Sequence, residues 1–172
     1  IIWDYQWYAF PFQLCSTPLY ILPFIFLFKD GKIQQASIAY TATFAFFGGL
    51  AVMIYPGDVF IDTIGINLQT MIHHGSQVVM GLFCLFHERK RFNFKYYIKG
   101  ILTFLILLTI AVTFNIIVYN IFQKLSIDET FNMFYVGPYF PSTLPLLSII
   151  YPLVPYIVFL LLYTIGFILI SY

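Results

Sequence analysis

The sequence predicts an all-α membrane protein, a bundle of five transmembrane helices. Three observations carry this. Hydrophobic residues make up 61% of the 172-residue chain and charged residues only 9%, against about a quarter in a typical soluble domain. The mean hydropathy is +0.89, so the chain could not cover its own surface in water. The charges also fall into a few short clusters, and the stretches between them are long enough to cross a bilayer.

A spanning helix needs about 20 mostly apolar residues. Five stretches qualify, roughly Tyr8–Phe28, Gln34–Tyr55, Ile64–Phe86, Tyr97–Phe122 and Pro145–Tyr172. The connections are Lys29-Asp30-Gly31-Lys32, then Pro56-Gly57-Asp58, then His87 to Arg91 extended by Lys95, and a long one from Lys124. Lys29, Lys32, Arg89, Lys90, Arg91, Lys95 and Lys99 belong to the first and third connections. Lys124 lies on the other side with Asp4, Asp58, Asp62, Asp128 and Glu129. Basic residues favour the cytoplasmic side, so the N-terminal end is expected outside and the C-terminus in the cytoplasm of a multi-pass cell-membrane protein.

Residues 1–172 read as one transmembrane domain. The start, Ile1-Ile2-Trp3-Asp4, has no basic leader region, and an upstream helix is expected before it. Phe131–Pro145 is apolar but broken by Gly137, Pro138, Pro141 and Pro145. It reads as a re-entrant or capping segment of the outer face, over about 127–144, or as a plain outer loop.

Several classes drop out. A net charge of +1 without a basic stripe gives no nucleic-acid surface. Cys15 and Cys84 fall in separate predicted helices near opposite faces and form no disulfide framework. No Gly-rich phosphate loop or metal-spaced cluster occurs, and no cofactor is expected. The adjacent His73 and His74 point about 100° apart on a helix, which suits a shared metal poorly.

Ile72-His73-His74-Gly75 lies in the middle of the third apolar stretch. Ionisable rings are costly in hydrocarbon and favour a functional interior, although each could also serve as packing glue bonded to a backbone carbonyl. Gln13, Cys15, Ser16 and Thr17 mark the first stretch; Gln69, Thr70, Ser76 and Gln77 accompany the histidines; Thr113 and Asn115 come late in the fourth. This pattern suits a cavity opening outward. Pro18 frees the carbonyl of Leu14 and bends the first helix, and Gly75 lets a helix or ligand approach His74. Cys15 on its own reads as a small buried hydrophobe.

Four short pieces, in order, resemble the YwaF family of bacterial integral membrane proteins, which includes vertebrate transmembrane protein 164. They are Pro11-Phe12-Gln13-Leu14-Cys15, Gly48-Gly49 followed by Pro56-Gly57-Asp58, Ile72-His73-His74-Gly75, and Asn132-Met133-Phe134 with its trailing prolines. Bacterial relatives often carry histidine where Gln13 stands. The resemblance implies an acyltransferase acting on phospholipids, with Cys15 and His74 as catalytic pair. A histidine within reach would take the thiol proton, and the thiolate would attack an ester carbonyl. Gln77 or Asn132 would bond the oxyanion, and His73 and Gln13 would support the site. Membrane lipid is then the partner and phospholipid the substrate. A small-solute or proton-coupled transporter using the histidines, or a non-catalytic scaffold, are the alternatives.

Overall fold

A computed structural model describes residues 7–29 and 31–172, with the Asp58 side chain excepted. Asp4, Asp30 and the opening Ile1-Ile2-Trp3 lie outside the described residues. Among the described residues the chain is helical, without strands. The helices are α1 (Pro18–Leu27), α2 (Lys32–Tyr40), α3 (Phe46–Ile54), α4 (Ile64–His87), α5 (Phe94–Leu125), α6 (Leu147–Ile150) and α7 (Tyr156–Ile170).

A π-helical turn, Thr41–Ala45, joins α2 and α3 into one helix from Lys32 to Ile54. This helix and α5 are both long and apolar enough to cross a membrane; α1 and α7 are apolar but shorter. Although α4 has 24 residues, its central His, Gln, Ser and Thr lower its hydropathy.

The sequence predicted a spanning helix from Tyr8, and the structure corrects this. A 3₁₀ turn covers Trp7–Ala9, Leu14 to Thr17 form a turn, and the helix begins at Pro18. Proline has no N–H and a fixed φ suited to the first helical position, so Pro18 starts α1 rather than bending a longer helix. Cys15 therefore sits in a turn, not inside a helix.

The chain divides into two compact units. One contains residues 15–105 and 168–172, the other 1–14 and 106–167. In the first, the buried core is aromatic. Phe44, in the π turn, stacks on Phe104 at 4.5 Å between centroids and on Tyr40 and Tyr97 at 5.8 and 6.1 Å. Close approach of α3 to α4 depends on glycine. A Cβ on Gly49 would lie 2.7 Å from Gln77 Cβ and 2.8 Å from the His74 carbonyl; one on Gly81 would lie 2.5 Å from Phe46 Cβ. At Gly75, where the sequence suggested a close approach, the nearest atoms are those of Met53 at 4.0 Å.

In the second unit the segment after α5 is irregular yet mostly buried from Phe131 to Gly137. Phe134 and Tyr135 have φ of 58° and 57°, which L residues rarely adopt. Three side-chain amides hold this backbone. Gln13 accepts from Phe134 N–H at 2.8 Å and donates to the Asn132 carbonyl at 3.1 Å. Asn115, buried in α5, accepts from Met133 N–H at 2.7 Å and donates to the same residue's carbonyl at 3.0 Å. Asn132 Oδ1 accepts from Gly137 N–H at 2.7 Å. Irregular backbone in an apolar setting needs such partners, because unpaired peptide groups are costly there.

Candidate functional site

In the first unit, the turn carrying Cys15 docks on the middle of α4. Pro18 offers no N–H to the Cys15 carbonyl, and Leu19 N–H turns to the Ser16 carbonyl instead. The Cys15 carbonyl is thus free for side chains. Gln77 Nε2 donates to it, and His73 Nε2 lies 2.9 Å away. Residues 73 and 77 are one helical turn apart on the same face, so both reach one acceptor with two lone pairs. His73 Nε2 is also 2.8 Å from Gln77 Nε2. One ring nitrogen cannot donate to the carbonyl and accept from the amide, so the His73 tautomer decides between the two bonds. The carbonyl freed by Pro18 and captured by α4 is that of Cys15, one residue beyond Leu14.

His74 faces differently. Its ring is nearly perpendicular to that of His73, at 83° with centroids 5.1 Å apart, as neighbouring helical positions require. His74 Nδ1–H donates to the Thr70 carbonyl at 2.7 Å. This leaves a lone pair on Nε2 in the neutral ring, and that atom is buried with no hydrogen-bond partner. Gln77 Oε1 is buried and unpartnered as well. Among the described residues no hydrogen bond joins the Cys15 sulfur to His74; the link between this turn and the histidine pair runs through His73 and the backbone. Cys15 is partly exposed and Cys84 buried, both as free thiols.

A mostly apolar cavity of about 100 Å³ lies beside this junction. Pro18 and Leu22 of α1, Ala45 of the π turn, and His73, Gln77 and Met80 of α4 line it. Nearby, the fully buried Thr17 and Tyr40 hydroxyls bond each other, which ties the start of α1 to α2. Among the described residues no three His, Cys, Asp or Glu side chains converge as a metal site would require.

The remaining sequence-predicted residues serve backbone. Gln13 and Asn132 belong to the amide cluster of the second unit, and the Asn132 amide nitrogen points at the Pro141 carbonyl, 3.3 Å away. Sequence reasoning placed Asn115 among the polar groups of an outward cavity, not as a backbone clamp, and it overlooked Tyr40. An amide in so apolar a helix as α5 was the available signal for the first; nothing local marked the second. Thr113 and Ser76 are exposed and bond carbonyls four residues back, at Thr109 and Ile72.

The model of the TMEM164 family matches residues 1–172. The chain belongs to the TMEM164 family. No curated protein and no solved structure matches it. In this TMEM164 family member, Cys15 meets the Ile72–Gly75 piece where its carbonyl joins His73. Gly49, from the second piece, gives α4 its close contact behind His74 and Gln77. The fourth piece supplies the positive-φ backbone that Gln13 and Asn115 clamp.

Proposed function

We propose that this chain is a five-span cell-membrane enzyme that moves acyl groups between phospholipids, with the Cys15 thiol as nucleophile and His74 as general base. The observation that carries the reading is the state of His74. Its Nδ1–H is fixed by the Thr70 carbonyl, and its Nε2 lone pair is buried and unclaimed. An imidazole oriented at one nitrogen, with the lone pair of the other unclaimed, is what a general base requires. The docking of the Cys15 turn on α4 supports the pairing, since it brings the thiol-bearing residue to the helix that carries the base. The apolar cavity beside it suits hydrocarbon.

The chemistry runs in two halves. His74 Nε2 takes the thiol proton, and the thiolate attacks the ester carbonyl carbon of a phospholipid. The tetrahedral intermediate collapses, the C–O bond breaks, and the departing lysophospholipid alkoxide receives the proton from His74. The acyl chain is then held as a thioester on Cys15. A second lysophospholipid hydroxyl gives its proton to His74 and attacks the thioester; the C–S bond breaks and the thiolate recovers the proton. The 127–144 segment caps the outer face in this reading.

The test uses the full chain in liposomes with a phospholipid carrying a labelled acyl chain and an unlabelled lysophospholipid. Label should pass to the acceptor through a hydroxylamine-sensitive protein adduct, and Cys15→Ser should abolish both. Transfer that survives Cys15→Ser, or its absence across the phospholipid classes, overturns the reading. A pH-dependent solute flux surviving Cys15→Ser would favour transport by the histidines instead.

A further inference from the structure

The basic residues of the first unit gather at one end of its helices, and this end does not belong to the Cys15 site. A Cβ on Gly81 would sit 3.0 Å from the Thr41 carbonyl, and one on Gly49 2.8 Å from the His74 carbonyl. The helix from Lys32 to Ile54 and α4 are therefore antiparallel, and the same register carries Lys32 to the level of the turn Arg89–Arg91. Lys99 Nζ, near the start of α5, donates to Gln35 Oε1 near the start of α2, which fixes the third helix at that level.

Lys29, Lys32, Arg89, Lys90, Arg91 and Lys95 thus lie in one layer, and all six are exposed. Among the described residues the acid in this layer is Glu88, which is buried and faces Arg91 at 3.5 Å and His87 at 3.9 Å. Asp30, in the α1–α2 connection, lies outside the described residues. Exposed aromatic rings frame the cations. Phe28 is 42%, Phe86 66% and Phe94 60% exposed, and the Tyr172 ring meets that of Phe94 at 6.2 Å. Apolar rings open to the surroundings directly beside cations, with a tyrosine among them, suit the boundary between hydrocarbon and headgroups.

We infer that this layer is a binding surface for anionic phospholipids, whose headgroup phosphates lie among Lys29, Lys32, Arg89, Lys90 and Lys95 while their first methylenes pack on Phe28, Phe86 and Phe94. Cations on two separate turns, held level by the helix register, can meet more than one headgroup. Clusters of this kind at helix ends recognise anionic lipid through charge, within about a Debye length. The buried Glu88 lies 3.5 Å from Arg91, whose side chain stays exposed, and leaves the other cations without an acidic partner among the described residues. This inference does not depend on the acyl-transfer reading, because its readout is binding.

The test counts lipids on the detergent-purified full chain by native mass spectrometry, with phosphatidylglycerol and phosphatidylcholine of matched chains added separately. Phosphatidylglycerol should be retained several-fold over phosphatidylcholine, with the excess shrinking as salt rises. The variant R89Q/K90Q/K95Q should lose the excess, and K124Q, which removes a cation outside this layer, should keep it. Equal retention of the two lipids by the unaltered chain overturns the inference, as does an excess that survives R89Q/K90Q/K95Q. If that variant does not fold, the unaltered chain decides: an excess indifferent to salt, or one displaced equally well by inorganic phosphate, overturns it.

Discussion

His73 Nε2 lies 2.9 Å from the backbone carbonyl of Cys15, 58 positions away in the chain. Gln77, one turn further along α4, donates to the same oxygen. The turn that carries the thiol is therefore held by its backbone, and the thiol itself is not used in holding it. Separate holding and reacting groups allow the two to be tested separately.

Replacing Gln77 by Leu removes one of the two groups at the Cys15 carbonyl. A lost hydrogen bond costs about 0.5–1.5 kcal/mol while the oxygen keeps its second partner. The variant should unfold in detergent at lower temperature than the unaltered chain. His73→Ala should cost more on top of Gln77→Leu than it does alone, since only the second loss leaves the oxygen without a partner. Thermal unfolding of the two single variants and the double variant checks this; full additivity would contradict a shared acceptor.

Gly49→Ala should be harmful and Gly75→Ala mild. The new methyl at 49 would meet Gln77 Cβ at 2.7 Å and the His74 carbonyl at 2.8 Å, whereas at 75 it would find Met53 at 4.0 Å. Overpacking of this kind costs about 1–3 kcal/mol. Comparing the unfolding temperatures of the two variants checks the ranking.

Asn115→Leu should destabilise more than Thr113→Ala. Asn115 is buried and pairs with both peptide groups of Met133, so its loss strands a donor and an acceptor, at about 1–3 kcal/mol each. Thr113 is exposed and bonds only its own helix. Proteolysis of the 131–145 segment should accelerate in Asn115→Leu and stay unchanged in Thr113→Ala.

Charge spacing made α2, α3, α4 and α5 legible in the sequence, because each runs between connections that hold charge. The start of α1 was not legible. Apolar composition continues from Tyr8, and only the geometry of Pro18 as a first helical residue explains the turn that precedes it. The sequence predicted a meeting of the Cys15 thiol with His74, whereas the contact the structure shows is between the Cys15 backbone carbonyl and His73 and Gln77. Which histidine meets the Cys15 turn was not legible. Adjacent positions differ by about 100° around a helix, and the rotation of α4 depends on Gly49 and Gly81 packing against α3 and the π turn. The clamped segment at Asn132 was recognisable as unusual from its prolines. Its positive φ values, and the use of Gln13 and Asn115 to hold them, arise from tertiary hydrogen bonds that no local pattern encodes.

The most direct measurement is alkylation of Cys15 by a mild thiol reagent in native membranes, with and without His74. The proposed pair predicts that Cys15 is labelled much faster than the buried Cys84, that His74→Ala slows this labelling, and that His74→Ala leaves the labelling of unfolded chain unchanged. Labelling of Cys15 that is negligible, or that proceeds at the same rate after His74→Ala, would contradict a thiol activated by this imidazole.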